Sequence, residues 1–173
     1  LGGQFSSRIN LNPREDKGYT YGAHSQFVFR KGPGPFVAAT SVQTAVTKPA
    51  LSELVKEIRD ITGPRPPTDA ELAFAKDRLV KGFPAQFETT FGLARQIEEL
   101  VIHGLPEDYF TTYQAKIEGV SKADVERVAK QYLNPDRLLI VVVGDRSQIE
   151  AGIKELPFAR DLQIYDTEGD PVK

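Results

Sequence analysis

The sequence predicts an α+β fold, with an antiparallel or mixed sheet covered on one face by helices. A run from Tyr19 to Arg30 alternates its side chains with period two, then meets a Gly/Pro turn and a second β-prone run. A long middle section repeats apolar residues at three- and four-residue spacing. Leu138 to Val143 is wholly apolar and rich in β-branched residues, and a last amphipathic segment follows it.

The first dozen residues read as a short helix. Phe5 and Ile9 recur at i, i+4, while Ser6, Arg8 and Asn10 are polar. Pro13 is expected to stop or kink that helix, because proline lacks an N–H and crowds the carbonyl four residues back. In the strand that follows, Tyr19, Tyr21, Phe27 and Phe29 share one parity, and Thr20, His24, Gln26 and Arg30 the other. A straight strand puts Tyr21 on the face of the phenylalanines; a bulge near Gly22-Ala23 would flip it to the other. Lys31-Gly32-Pro33-Gly34-Pro35 is a turn, and residues 36 to 46 return as the antiparallel partner.

Thr47 is placed to cap a helix over 48–61, whose stripe is Leu51, Leu54, Val55, Ile58 and Ile61. Gly63 to Pro67 forms a stiff linker inside the fold. Thr68-Asp69-Ala70-Glu71 is a capping box opening a helix through Leu72, Ala75 and Leu79. Phe83-Pro84 interrupts it. A second helical stretch carries Phe87, Phe91, Ala94, Ile97 and Val101 and ends near Gly104. Pro106 opens a short helix with Tyr109, Phe110 and Tyr113. Ser121 to Asp124 starts another, with Val125, Val128, Ala129 and Leu133 on one face, and Asn134-Pro135 ends it. Leu138–Val143 is expected to be a strand covered on both faces, or central in a covered sheet. Gly144-Asp145 leads into a last helix with Ile149, Ile153 and Leu156.

Three strands make a thin sheet, so further strands N-terminal to Leu1 are expected to complete it. A chain of 173 residues that starts Leu-Gly-Gly and holds no methionine reads as a piece of a longer polypeptide. Residues 1–160 are expected to form one domain, incomplete at its N-terminus, and 161–173 an extended polar tail.

Composition removes several functions. With 22 Lys plus Arg against 24 Asp plus Glu, the net charge is -2, which disfavours a nucleic-acid binder working by bulk charge. No apolar run approaches the ~20 residues that cross a bilayer, and no signal-peptide or lipidation motif stands in these residues. Zero cysteines exclude disulfides, thiolate metal sites and cysteine nucleophiles, and leave the compartment open. The only histidines, His24 and His103, lie far apart, and neither HExxH nor HxxEH is present. A self-contained zinc hydrolase site is therefore not expected.

The most informative stretch is Leu1-Gly2-Gly3-Gln4-Phe5-Ser6-Ser7-Arg8-Ile9-Asn10 with Arg14-Glu15-Asp16-Lys17-Gly18-Tyr19-Thr20-Tyr21-Gly22. Later landmarks are Thr68 to Leu72, Phe87-Glu88-Thr89, Leu105-Pro106-x-Asp108-Tyr109, Val120-Ser121-x-x-Asp124-Val125 and Val142-Val143-Gly144-Asp145. In this order and spacing, across most of residues 1–168, the chain resembles the second, metal-free domain of insulinase-like M16 zinc metallopeptidases, the pitrilysin and mitochondrial-processing-peptidase group. The resemblance implies a LuxS/MPP-like metallohydrolase half-unit, two of which form one lobe. It implies no cofactor in this chain, with zinc held by a partner domain bearing His-x-x-Glu-His and a distant Glu. Implied partners are an extended peptide substrate and that HxxEH-bearing domain or subunit, in a homo- or heterodimer, with no nucleic acid. Bacterial members of the family are often periplasmic or membrane-anchored and others organellar.

By the same resemblance, Arg14 and Tyr21, seven residues apart, are the substrate-binding pair, and no catalytic residue is implied here. The chemistry suits both residue types. Peptide hydrolysis builds negative charge on the scissile carbonyl oxygen, which a phenol O–H can meet with a hydrogen bond. A guanidinium offers five donors and keeps its charge at pH 7. The substrate is implied to lie as an extended strand along a sheet edge, held by backbone hydrogen bonds with loose sequence preference. The alternative is a structural or assembly subunit with the same fold and no proteolytic role.

Other candidates read more plainly. His24 is either a contact in a substrate chamber or a solvated strand residue. His103 suits a helix C-terminus by capping and dipole. Glu98 and Glu99 are neighbours on a helix and point apart. Asp145 sits where α/β folds place ligands and also where a helix N-cap belongs. Tyr109, Phe110 and Tyr113 read as core. Gly32 and Gly34 lack the Lys-Ser/Thr of a phosphate loop.

Overall fold

The computed structural model describes residues 1–172. In chain order its elements are α1 (Arg8–Asn10), which runs into a π-helical turn (Leu11–Asp16), β1 (Thr20–Phe27), β2 (Phe36–Val42) and α2 (Thr47–Thr62). There follow α3 (Asp69–Gly82), α4 (Thr90–His103), α5 (Tyr109–Gly119), α6 (Lys122–Tyr132) and α7 (Arg146–Lys154). The fold is helix-rich with a two-stranded antiparallel sheet, β1 against β2. The chain divides into two compact units. One holds Leu1–Gln26, Ala38–Arg59 and the residues from Asn134 onward; the other holds Phe27–Val37 and Asp60–Leu133.

In the first unit, the coil runs on through Pro13, the residue expected to stop or kink it, but in altered form. It widens there, with the Lys17 N–H donating to the Asn12 carbonyl five residues back (3.1 Å). A wider turn relieves the crowding between the proline ring and the preceding turn and asks no N–H of Pro13, which is fully buried. Asn12 holds the turn against α2 by donating to Glu53 Oε2 and Glu57 Oε1, both at 2.8 Å. Leu1 and Gly2 lie beside β1, where the Ser25 N–H donates to the Gly2 carbonyl (2.9 Å). A Cβ on Gly2 would sit 2.3 Å from Ile9 Cδ1 and 2.4 Å from the Ser25 nitrogen, so only glycine permits this approach.

β2 is shorter than predicted, because Thr44–Val46 coil into a 3-10 turn that feeds straight into α2. Thr47 therefore does not cap α2; its hydroxyl donates to the Thr44 carbonyl (2.9 Å). The predicted stripe of α2 is sound at Ile61, which belongs to the second unit, and at Val55 and Ile58 of the first, all buried. Ile9, Ala23, Ala50, Ile149, Ile153 and Leu156 complete the buried apolar set of this unit.

Leu138–Val143 departs most from expectation. It joins no strand of the described residues, and Leu139, Val141 and Val143 are 91%, 77% and 94% exposed instead of covered. Beyond it, Asp145 caps α7 by accepting from the Ser147 N–H (3.0 Å). Arg146 and Lys154 flank Glu150 one turn away on either side and hold its carboxyl down to about 2. A carboxyl lowered in the fold adds stability above its unfolded pKa and loses it as pH falls through the folded value. The helical signal of α7 should accordingly be constant above pH ~4.5 and decline between there and pH ~2. The amide chemical shifts of residues 146–154 against pH check this, and Glu150→Gln should flatten the profile. The tail turns back on itself near Gly169, with one antiparallel bridge between Tyr165 and Pro171.

Short-range signals shape the second unit. The Thr68 hydroxyl accepts from the Glu71 N–H (3.2 Å), and the Glu71 carboxylate accepts from the Thr68 N–H (2.8 Å). Ser121 and Asp124 repeat the device at α6 (3.1 and 3.0 Å). Phe87 belongs not to α4, as predicted, but to a 3-10 turn, Pro84–Phe87; Thr89 caps α4. Gly104 ends α4 at φ +59°, a left-handed geometry glycine takes without penalty, and the Leu105 N–H returns to the Leu100 carbonyl (2.9 Å). Phe83 centres an aromatic cluster, stacked on Tyr113 (4.7 Å) and edge-on to Phe87 (5.0 Å). Phe110 packs against both Phe83 and Phe87. On α4, Phe91, Ile97 and Val101 of the predicted stripe face solvent.

Candidate functional site

Arg14 lies in the wide turn and Tyr21 near the start of β1, both within the first unit. The Arg14 guanidinium stacks over the Phe5 ring, 4.5 Å from its centroid, and its Nε pairs with Glu15 Oε1 at 3.1 Å. The guanidinium thereby keeps a planar face on an aromatic ring while its remaining N–H groups stay available.

Tyr21 is 93% exposed. Among the described residues nothing hydrogen-bonds its phenol. A regular strand would put Tyr21 on the side of Ala23 and Ser25, which are buried. The alternation breaks at Gly22: Thr20, Ala23 and Ser25 point inward, whereas Tyr21 and His24 are exposed. Local hydrogen bonds account for the break. Thr20 Oγ1 accepts from the Gly22 N–H (3.0 Å) and the Thr40 hydroxyl (2.9 Å), and donates to the Ser41 carbonyl (2.6 Å). Its one donor and two acceptor positions are all used, and the Gly22 amide is kept within its own strand.

Asn10 connects the parts of the site. It is buried. Its Nδ2 donates to the Phe5 carbonyl (2.6 Å), and its Oδ1 accepts from the Ala23 N–H (2.9 Å). One side chain thus fastens the loop carrying the ring under Arg14 to the strand carrying Tyr21. Sequence reasoning missed Asn10 and Phe5 as site residues. The available signal was a polar amide beside Ile9 in a segment whose neighbours pack inward.

The other candidates have local partners of their own. His103 Nε2 lies 3.2 Å from Glu99 Oε2 at the end of α4. Asp145 is the α7 cap, and its hydrogen bonds from Ser147 and Gln148 hold its carboxyl below the usual range. Tyr109, Phe110 and Tyr113 belong to the half-buried aromatic cluster, and burial raises the Tyr113 phenol. The described residues contain no group of three or more His, Asp or Glu able to hold a metal ion, so they do not fit zinc.

Fold and site define a helix-rich α+β half-unit that presents an arginine and a tyrosine and holds no metal cluster among its described residues. Solved structures share that architecture. The peptidase M16 inactive domain from Pseudomonas fluorescens matches with a TM-score of 0.71 and 23% identity, over 79% of this chain and 32% of that one. A protease from Helicobacter pylori matches at 0.68 and 20%, over 78% and 32%. A protein assigned as a zinc protease, from Bordetella pertussis Tohama I, matches at 0.62 and 19%, over 77% and 72%. The chain has the fold of the M16 inactive domain, and it spans about a third of the length of the first two neighbours (32%). No family model matches the chain, and no curated protein does.

Proposed function

We propose that this chain is the metal-free, substrate-holding domain of an M16-type zinc metallopeptidase. It would help position an extended peptide for hydrolysis at a zinc site on another domain or subunit. The observation that carries this reading is the Tyr21 phenol, which stands free on a strand that buries Thr20 and Ala23. A large aromatic side chain held out of the core gains nothing by burial and is available as a donor to a ligand carbonyl. Arg14 supports the reading through its fixed positive charge. The 173 residues alone are expected to hydrolyse no peptide.

In the complete assembly, Tyr21→Phe removes one oxygen and should lower peptide turnover at least ~10-fold, a floor set below the ~10²–10³-fold typical of losing one positioned donor. Turnover of an extended peptide is the measurement, with an unchanged thermal midpoint as the control for folding. A wild-type rate would remove the role. A structural or assembly subunit is the second reading. It draws on Arg14, whose guanidinium already has Phe5 and Glu15 as neighbours within the chain. That reading expects both Tyr21→Phe and Arg14→Ala to leave the function of the assembly unchanged.

A further inference from the structure

We propose that the aromatic cleft of the second unit binds the C-terminal residue of a polypeptide, with an apolar side chain against the rings and the α-carboxylate on Arg95. The proposal rests on neither Arg14 nor Tyr21, which lie in the first unit. It stands whether the assembly is a peptidase or a structural subunit.

The loop after α3, together with α4 and α5, lines an open cleft of about 220 Å³. Phe83, Tyr109 and Tyr113 supply its aromatic wall. All three are half-buried, so part of each ring stays uncovered by the chain. Ring packing accounts for that wall but not for the polar groups beside it. Arg95 and Gln96 of α4 line the same cleft. Among the described residues neither of these side chains has a hydrogen bond or ion pair, and neither the Tyr109 nor the Tyr113 phenol has a hydrogen-bond partner. Four side chains that can donate therefore border one apolar surface with no partner of their own. Lys116 Nζ, 5.6 Å over the Tyr109 ring, brings a second positive charge to that wall. The acid at the rim, Glu99, is engaged by His103, whose Nε2 lies 3.2 Å from Oε2.

These groups select the occupant. A guanidinium with no internal partner matches a carboxylate, and the amide and phenol groups add neutral donors to it. The rings match a large apolar side chain, which gains by leaving water. A polypeptide presents both on one residue only at its C-terminus. Size and openness exclude a free small ligand. Such ligands sit in cavities of roughly 300–1,000 Å³ that bury most of their surface. This cleft is smaller, and its rim at Gln86 and Glu99 is exposed, so one residue enters while the chain before it runs out across the rim.

Calorimetry on the complete polypeptide encoded by this reading frame tests the proposal. The probe is the peptide Ala-Ala-Ala-Ala-Phe, as the free acid and as the C-terminal amide. The free acid should bind at least ~10-fold more tightly than the amide, the least expected of hydrogen bonds to a charged group. Ending the peptide in alanine instead should cost a similar factor, because the ring surface is then left unfilled. Arg95→Gln, at an exposed helix position, should bring acid and amide to equal affinity with the thermal midpoint unchanged. Equal binding of acid and amide by the native protein overturns the proposal, as does a preference that survives Arg95→Gln. Binding of N-acetylphenylalanine as tight as that of the pentapeptide also overturns it, because the ligand is then a free aromatic acid. So does the absence of any heat of binding at millimolar peptide.

Discussion

Arg14→Ala in the complete assembly should lower peptide turnover on the order of 10²-fold, the loss typical of removing a positioned charge-bearing donor. The effect should exceed that of Tyr21→Phe, because the substitution removes a fixed charge and several N–H groups at once. Arg14→Lys should recover only part of the rate. Lysine keeps the charge but has no planar face to lie on the Phe5 ring, where the guanidinium now sits 4.5 Å from the centroid. A point charge on a flexible stem is less well aimed than a stacked fork. The order wild type, lysine, alanine in turnover, with unchanged thermal midpoints, is the expected result. Equal rates for all three would show that the guanidinium faces its partners within this chain and nothing else.

Asn10→Ala should be the most destabilising single change near the site, by about 1–3 kcal/mol, the usual cost of one buried donor left unmet. Two groups lose their partner together, the Phe5 carbonyl and the Ala23 N–H. Only the Ala23 amide lies where the chain is tightly packed, Ala23 being 7% exposed against 60% for Phe5, so the cost falls mainly on the strand side. Against a typical domain stability of ~5–15 kcal/mol this is a large fraction. Urea unfolding of the chain measures it, and amide exchange at Ala23 reports whether the strand has been released. A shift below ~0.5 kcal/mol, the range of ordinary surface substitutions, would mean that the bracket between loop and strand carries no load.

Local chemistry was legible and pairing at a distance was not. Thr68 with Glu71 and Ser121 with Asp124 announce helix starts because all their partners lie within four residues. Gly104 announces a helix end for the same reason. The π-helical turn was hidden because its geometry depends on Asn12 reaching Glu53 and Glu57, some forty positions away. The wholly apolar composition of Leu138–Val143 suggested a covered strand. The run joins no strand of the described residues and leaves Leu139, Val141 and Val143 exposed, because pairing and cover depend on neighbours that no residue of the run specifies. At the site, the seven-residue spacing of Arg14 and Tyr21 was visible only through resemblance. The exposure of Tyr21 rests on the hydroxyl of Thr20 holding the Gly22 amide, a competition between side chain and ladder that composition does not reveal.

The wide turn around Pro13 acts as a length adjuster. It takes up more residues per revolution than an ordinary helix, so a side chain within it leaves the coil on a different bearing. Position 13 has no polar chemistry of its own, yet whatever stands there sets the compass heading of the cation at position 14.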